Sequence, residues 1–386
     1  MANRSVRSLL LLPPLPPTPP PARLLPHDGL NPEVAEALKR VQAAMADAES
    51  NLQRIDQLPS ARLPSRWAVL LRPAAQFAAL FAVCAAVHSF GRAVSVAGSI
   101  AVGLVAAGWG LWRDSLDRSG AVSALLLGAG TLAASCRGGL LLLAFFFASS
   151  KITQFGEDQK DVDEDHKKGG QRDWRQARPV FCNALVPTGL ALAAAWVSGG
   201  RTDPALGLAP AGLDAAATQL LTALNAAFLG YYACCCGDTW SSELGQLSPE
   251  EPRLITTGRP VRKGTNGGVT LLGFGAALAG GLFMGLTFWL ASLISPLGGG
   301  PAAALRRWQP VALGLAGGFI GSLIDSLLGA SIQFTGYNRV TGKITGRPGP
   351  DVSPISGFPI LDNNMVNAVS ATATAALTGL AAAALL

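Results

Sequence analysis

Gly314-Leu315-Ala316-Gly317-Gly318-Phe319-Ile320-Gly321-Ser322-Leu323-Ile324-Asp325-Ser326-Leu327-Leu328-Gly329 forms the heart of an apolar segment, 310–334, whose one charged residue is Asp325. A transmembrane helix needs about 20 mainly apolar residues, so this segment is long enough to cross a bilayer. Gly317, Gly321, Asp325 and Gly329 step by four and therefore share one helix face. Small residues at that spacing let helices approach closely, which would carry the carboxylate into the interior of a bundle. An ionisable residue inside a span is a candidate for function.

The same pattern recurs along the chain. Apolar segments at 69–90, 94–112, 121–149, 180–198, 214–236, 268–296 and 365–386 join 310–334 to make eight expected spans. Segment 121–149 is long, at 29 residues, and contains Arg137. A lone arginine there costs about 2.5–3.5 kcal/mol on insertion scales. Either Arg137 faces a polar interior, or the segment is tilted or broken at Gly138-Gly139; a single span is the favoured reading, since neither half alone reaches full length. Gly273, Ala277, Gly281 and Gly285 form a second small-residue stripe with no ionisable group, and read as packing.

Composition agrees. The 386 residues are 49% hydrophobic and 14% charged, against roughly 25% charged in a soluble domain. That excludes both a soluble globular protein and a chain disordered throughout. The net charge of +6 sits in loops beside apolar segments, where it reports membrane orientation rather than nucleic-acid binding. The six cysteines make no CxxC pair, and His27, His88 and His166 are isolated. Thioredoxin-like, zinc-ribbon and histidine-metal chemistry are therefore not expected. Cys234, Cys235 and Cys236 read as small buried side chains at a helix end.

Two regions follow. Residues 1–66 comprise a basic, proline-rich tail and one amphipathic helix over 31–57; 67–386 form the transmembrane domain. The acid-free stretch 1–27 reads as a disordered polyproline tail and is also compatible with an organelle transit peptide. The fold class is all-α: a polytopic membrane protein, a bundle of about eight transmembrane helices with a disordered or helical N-terminal tail.

With eight spans, segments 151–179, 237–267 and 335–364 emerge on one side, opposite both termini. That side would hold Arg92, Lys151, Lys160, Lys167, Lys168, Arg172, Arg175, Arg178, Arg253, Arg259, Arg262, Lys263, Arg339, Lys343 and Arg347. Arg113, Arg118, Arg201, Arg306 and Arg307, with four arginines before or at the start of the first span, fall on the other. Positive-inside bias puts the long loops in the cytosol or an equivalent compartment.

These loops also collect the chemistry. Span five closes with Gly237-Asp238-Thr239-Trp240-Ser241-Ser242-Glu243. Arg253, Arg259, Arg262 and Lys263 precede Gly264-Thr265-Asn266-Gly267-Gly268, which leads into span six. A Gly-rich turn feeding a helix N-terminus presents N–H donors and the positive end of the dipole, as a phosphate cradle does; it is not a Walker A sequence. The last loop ends in Ile360-Leu361-Asp362-Asn363-Asn364, where Asp or Asn also suits a helix cap. Asp238, Glu243, Asp325 and Asp362 are hard oxygen donors of the kind Mg²⁺ takes together with substrate phosphates. Lys151, Arg172, Arg253, Arg262 and Lys263, with Thr265, Asn266, Gly267 and Gly268, would supply phosphate contacts. Phosphoryl transfer needs this pairing.

These segments resemble the transmembrane protein 19 family of integral membrane proteins, which includes the plastid phytyl-phosphate kinases. The resemblance is carried in order by Ser149-Ser150-Lys151-Ile152-Thr153, Gly170-Gln171-Arg172-Asp173-Trp174, Phe181-Cys182-Asn183 and Gly237 to Glu243. It continues through Pro252 to Thr257, Gly264 to Thr270, Gly321 to Ser326 and Ile360 to Asn364. Residues 1–66 lie outside it. Departures are Ala177-Arg178-Pro179, Gly189 in place of an expected acid, and Gly258.

The resemblance implies about eight helices and a kinase. It would pass a phosphoryl group from a nucleoside triphosphate such as CTP to a prenyl monophosphate, such as phytyl or geranylgeranyl phosphate. That is a transferase of isoprenoid metabolism, feeding tocopherol or phylloquinone synthesis in plastids. The expected site has Asp238, Glu243 and Asp325 on Mg²⁺, with Asp362 as a further metal or acceptor-orienting residue. The expected setting is a lipid bilayer with a prenyl-phosphate lipid substrate and no nucleic acid, in a plastid or endoplasmic reticulum membrane. Oligomeric state is left open. A transporter or channel for a lipid-like or anionic solute, or a non-catalytic membrane protein, is the alternative.

Overall fold

The computed structural model describes residues 92–112, 116–155, 177–200, 203–208, 212–294, 302 and 305–386. The expected tail, the amphipathic helix, the span at 69–90, Cys84, Arg113 and Arg172 lie outside the described residues. Eight long helices are described: α1 (Arg92–Trp112), α2 (Arg118–Ala134), α3 (Cys136–Gln154), α4 (Ala177–Val197), α5 (Ala215–Gly245), α6 (Leu271–Ile294), α7 (Gln309–Ile332) and α8 (Asn363–Leu385). All but α2 are long and apolar enough to cross a membrane. The protein is an all-α polytopic membrane protein.

Local sequence explains the helix starts. Asp117, Ser135, Asp214 and Asp362 are N-caps, each accepting a hydrogen bond from a backbone N–H three residues on. Such a cap satisfies one donor that the helix leaves orphaned. Thr270 does the same for Gly273 ahead of α6.

Segment 121–149 is not one span. The helix stops at Ser135, whose extended backbone separates α2 from α3. The chain then doubles back so sharply that a methyl on Gly139 would stand 3.2 Å from Leu132 Cα. Neighbours confirm the reversal. Thr131 bonds Thr188 at 2.8 Å, whereas Gly138 and Phe145, further along, meet residues of α4 and α5 in the opposite order. Capping by Ser135, not the Gly138-Gly139 pair, makes the break.

The hairpin changes the expected sidedness. Arg118, opening α2, lies at the same end of the bundle as the motif-bearing loops, and Arg92, opening α1, lies at the other. The two exchange ends one for one, so the excess of described cations at the motif end is kept.

Arg137 sits at the opposite end and is fully engaged. Its guanidinium donates to Pro204 O at 2.9 Å, Asn225 Oδ1 at 2.9 Å and Ser292 Oγ at 3.1 Å. It lies 4.0 Å above the Phe288 ring and beside the Asp203 carboxylate. Asp203 in turn accepts from Ser135 Oγ and from the Arg137 N–H, and holds φ +76°, a conformation uncommon outside glycine. The residue that is costly in a bilayer is thus paired and hydrogen-bonded, and the same network ties α3, α5 and α6 to the 203–208 segment.

Helix α5 is central: 78% of its span is buried, against 28–44% for the other long helices. It runs on to Gly245, past the expected end at 236, so Cys234, Cys235 and Cys236 are buried within the helix and not at its end. Its neighbours approach through glycines. A methyl on Gly237 would meet Gly318 Cα at 2.8 Å; one on Gly281 would meet Gly318 Cα at 2.9 Å. The Gly281 and Gly285 stripe of α6 packs on Gly314 and Gly318 of α7, as its spacing predicts. The Gly317 and Gly321 stripe faces α5 instead.

Two small sheets cap the motif end, which the sequence reading did not anticipate. Strands β1 (Arg253–Leu254) and β2 (Gly268–Val269) pair antiparallel. Strands β3 (Thr335–Asn338), β4 (Lys343–Thr345) and β5 (Val352–Ser356) form an antiparallel sheet in the order β4-β3-β5.

Two outcomes test this packing. Gly318→Ala should lower stability by about 1–3 kcal/mol, the usual cost of overpacking, because its methyl would stand 2.5 Å from Gly281 Cα. Gly275→Ala, with open space around it, should be neutral or slightly stabilising; thermal unfolding in detergent compares the two. Arg137→Met should cost about 3–5 kcal/mol in the same assay, because it leaves a buried carboxylate unpaired.

Candidate active site at the motif end of the bundle

The register of α5 on α7 places the acidic residues. Gly230 lies against Gly317, and Cys234 against Gly321. One further turn in each helix brings Asp238 beside Asp325, close enough for the Asp325 charge to act on the Asp238 carboxylate. Both are half-buried. Glycine packing upstream is what lets the two backbones run close enough for this meeting.

Helix α8 completes the pair's surroundings. Ser370 Oγ donates to Asp325 Oδ2 at 2.8 Å. The Asn367 amide, oriented by its hydrogen-bond network, donates to the same oxygen at 3.2 Å and to Asn363 O at 3.0 Å. Asn363 Oδ1 accepts from Gln333 Nε2 at 3.3 Å. Asn363, Asn367 and Ser370 recur at helical spacing. Sequence reading missed Asn367 and Ser370, though extending the Asp362-Asn363-Asn364 motif along its own helix face would have found them.

The other expected acids are placed elsewhere. Glu243 lies on α5 five residues beyond Asp238, roughly 140° further round the axis, so the two do not share a face. Asp362 caps α8 by accepting from Met365 N at 3.1 Å and pairs with Arg178 of α4 at 2.6 Å. Arg178 belongs to the departure Ala177-Arg178-Pro179. Among the described residues no three Asp, Glu, His or Cys side chains gather as a metal-ion site. This corrects the expected triad of Asp238, Glu243 and Asp325 to the pair Asp238 and Asp325. A pair still suits Mg²⁺, which is commonly held by one or two carboxylates plus substrate phosphates.

The Gly-rich turn also differs from expectation. It does not feed a helix directly: β2 and the Thr270 cap intervene before α6. Three of its N–H groups have partners, Thr265 N donating to Arg262 O at 3.2 Å, Asn266 N to Thr335 Oγ1 at 3.2 Å and Gly268 N to Thr265 O at 3.0 Å. Asn266 Nδ2 donates to Phe334 O at 3.4 Å, and buried Thr265 bonds Arg262 O at 2.7 Å. Gly267, at φ +74°, is wedged on α7: a methyl there would stand 2.5 Å from both Ser326 O and Ala330 Cβ. The turn is therefore a clasp that fastens the β1–β2 hairpin onto α7 next to Asp325. Of the two amides expected to cradle a phosphate, that of Gly268 is taken by Thr265 O.

The clasp brings cations to the same end. Arg262 is exposed and its guanidinium lies 4.2 Å above the Tyr337 ring. Lys263 Nζ donates to Ser248 O, and Arg253 donates to Gly258 O at 3.0 Å. Lys151 is exposed in the last turn of α3. Because Phe145 packs on Tyr232 of α5, Lys151 stands at about the level of Asp238. The structure thus gathers Asp238, Asp325, Arg262 and Lys263 at one end of the bundle, with Asp362 at the entrance to α8.

Asp362→Asn should preserve the cap, since Asn and Asp cap about equally well, and give up only an exposed ion pair worth about 0–1 kcal/mol. Its thermal unfolding should match the unsubstituted protein within that margin, and Asp362→Ala should fall further.

Comparison with known proteins comes to the same region. The chain is 47% identical over 270 residues to Protein PGR of Arabidopsis thaliana, covering 70% of this chain and 90% of that one. It is 31% identical over 200 residues to the uncharacterized membrane protein MJ0933 of Methanocaldococcus jannaschii, covering 51% and 66%. It is 29% identical over 198 residues to the uncharacterized membrane protein sll0875 of Synechocystis, covering 51% and 64%. No solved structure matches. The family model for integral membrane protein DUF92 matches residues 100–375, a stretch that includes α2 to α7, both sheets and the carboxylate pair, and the chain belongs to that family of multi-pass membrane proteins.

Proposed function

We propose that this protein is a membrane-embedded kinase that transfers a phosphoryl group from a nucleoside triphosphate, CTP or a close analogue, to a prenyl monophosphate. The observation that carries this reading is the meeting of Asp238 and Asp325 beside a hairpin bearing Arg262 and Lys263. Phosphoryl transfer asks the protein mainly for positioning and for balance of charge, not for covalent chemistry.

Asp238 and Asp325 would hold Mg²⁺, which when bound draws charge from the phosphate oxygens. Arg262, kept in place by Tyr337, would take a phosphate through its planar fork of donors. Lys263 and Lys151 would add positive charge at the same level. Helices α5, α7 and α8 leave this polar cluster at the end of apolar spans, which suits an acceptor with a charged head and a hydrocarbon tail. The cation-rich end would face the compartment that supplies nucleotide. Arg137 lends no support to a transport path, because its donors are consumed at the other end of the bundle.

The test is direct. Purified protein with Mg²⁺, CTP and phytyl or geranylgeranyl phosphate should yield the prenyl diphosphate. Asp325→Asn should reduce turnover by at least about 100-fold, as befits loss of a metal-binding charge whose mere supporting residues are worth 10–100-fold. Well-folded protein that forms no diphosphate across a panel of nucleotides and prenyl phosphates would rule the reading out.

A further inference from the structure

The Asp325 carboxylate is held from α8 through one oxygen. Oδ2 takes hydrogen bonds from both Ser370 and Asn367, while the carboxylate as a whole stands against Asp238. Ser370 is 1% exposed, and its hydroxyl has a backbone alternative in Asn367 O at 3.1 Å. A buried serine on a helix commonly settles for such a carbonyl; here it also reaches across to α7. Asn367 is likewise anchored from behind by Asn363 O. The two donors converge on one oxygen from one side, and so orient the carboxylate plane.

Resting on the kinase reading above, we infer that Ser370 and Asn367 are positioning residues of the cation site: by holding Oδ2 of Asp325 they set its other oxygen for an ion shared with Asp238. Groups that orient a ligating carboxylate contribute to metal affinity without touching the metal. A ring of donors on Oδ2 also restrains the side-chain rotamer freedom that Asp325 would otherwise lose on binding the ion. Asn363 and Gln333 extend the same chain of bonds to the end of α7, so the orientation of Asp325 is linked to the join between α7 and α8.

The measurement is Mn²⁺ affinity of the purified full-length protein, read from loss of the free-ion paramagnetic resonance signal, without nucleotide or lipid. Ser370→Ala and Asn367→Ala should each weaken Mn²⁺ binding about 10–100-fold, while Ser370→Thr, which keeps the hydroxyl, should stay within about threefold of the unsubstituted protein. Thr378→Ala removes a hydroxyl from the same buried stripe of α8, one that bonds only backbone carbonyls, and should bind Mn²⁺ normally. Unchanged affinity in Ser370→Ala, an equal loss in Thr378→Ala, no recovery in Ser370→Thr, or no Mn²⁺ binding by the unsubstituted protein would each overturn the inference. Ion binding as expected without diphosphate formation would remove the kinase reading and leave the positioning role standing. Diphosphate formation with Mn²⁺ affinity untouched in Ser370→Ala would do the reverse.

Discussion

Three helices pass one another at points where no side chain fits, and the motif end of the bundle is organised by that constraint. Gly237, Gly281 and Gly318 bring the backbones of α5, α6 and α7 to within van der Waals contact. In a bilayer, where lipid tails compete equally for apolar side chains, close packing of this kind is a main source of helix association. It also fixes register. Once Gly230 meets Gly317 and Cys234 meets Gly321, Asp238 has no choice but to meet Asp325. Two carboxylates driven together in this way create a demand for positive charge, which the proposed cation site would meet.

The two ends of the bundle handle charge differently. At one end Arg137, Asp203, Ser135, Asn225 and Ser292 form a closed network in which every partner is on the protein. Closure makes it a structural joint, holding the α2–α3 hairpin to α5 and α6. At the other end Arg178 pairs with Asp362, but Asp238 and Asp325 stand on helices while Arg262 and Lys263 are carried by a β-hairpin clasped to α7 through Gly267. Ser370 and Asn367 bond Asp325, but they bring no charge to the pair. This difference, and not the presence of a charge within a span, is what supports the proposal of a ligand site at that end.

Small irregular elements do the positioning. The clasp at Thr265 to Gly268 docks through the Asn266 N–H on Thr335 and through Gly267 wedged on α7, so the hairpin becomes a fixed carrier for Arg262 and Lys263. The fold-back of Phe358 and Ile360 onto the last carbonyls of α7 delivers Asp362 as the cap of α8, and from there Asn363, Asn367 and Ser370 descend on one face. The ion pair of Arg178 with Asp362 joins α4 to this corner. An insertion-like residue thus occupies a carboxylate that would otherwise stand open beside the site.

Much of this was legible from residue order alone. Hydrophobic length identified the membrane and six of the helices, since burying backbone polar groups in lipid leaves few alternatives to a helix. Four-residue stripes of glycine revealed which faces pack, and Asp238, Asp325 and the basic loop stood out against an apolar background. What periodicity could not decide was direction and partner. Whether 121–149 runs straight depends on Ser135 finding both Gly138 and Asp203, a bond across 68 residues. Whether Asn266 offers its amide to an anion or spends it on Thr335 depends on how the turn lies against the end of α7. Whether Asp362 serves a metal or a neighbouring arginine depends on where α4 begins. Local pattern determines which segments become helices and which faces are small or polar; only the packed bundle decides which polar groups meet, because a hydrogen bond or an ion pair is fixed by position in space and not by separation along the chain.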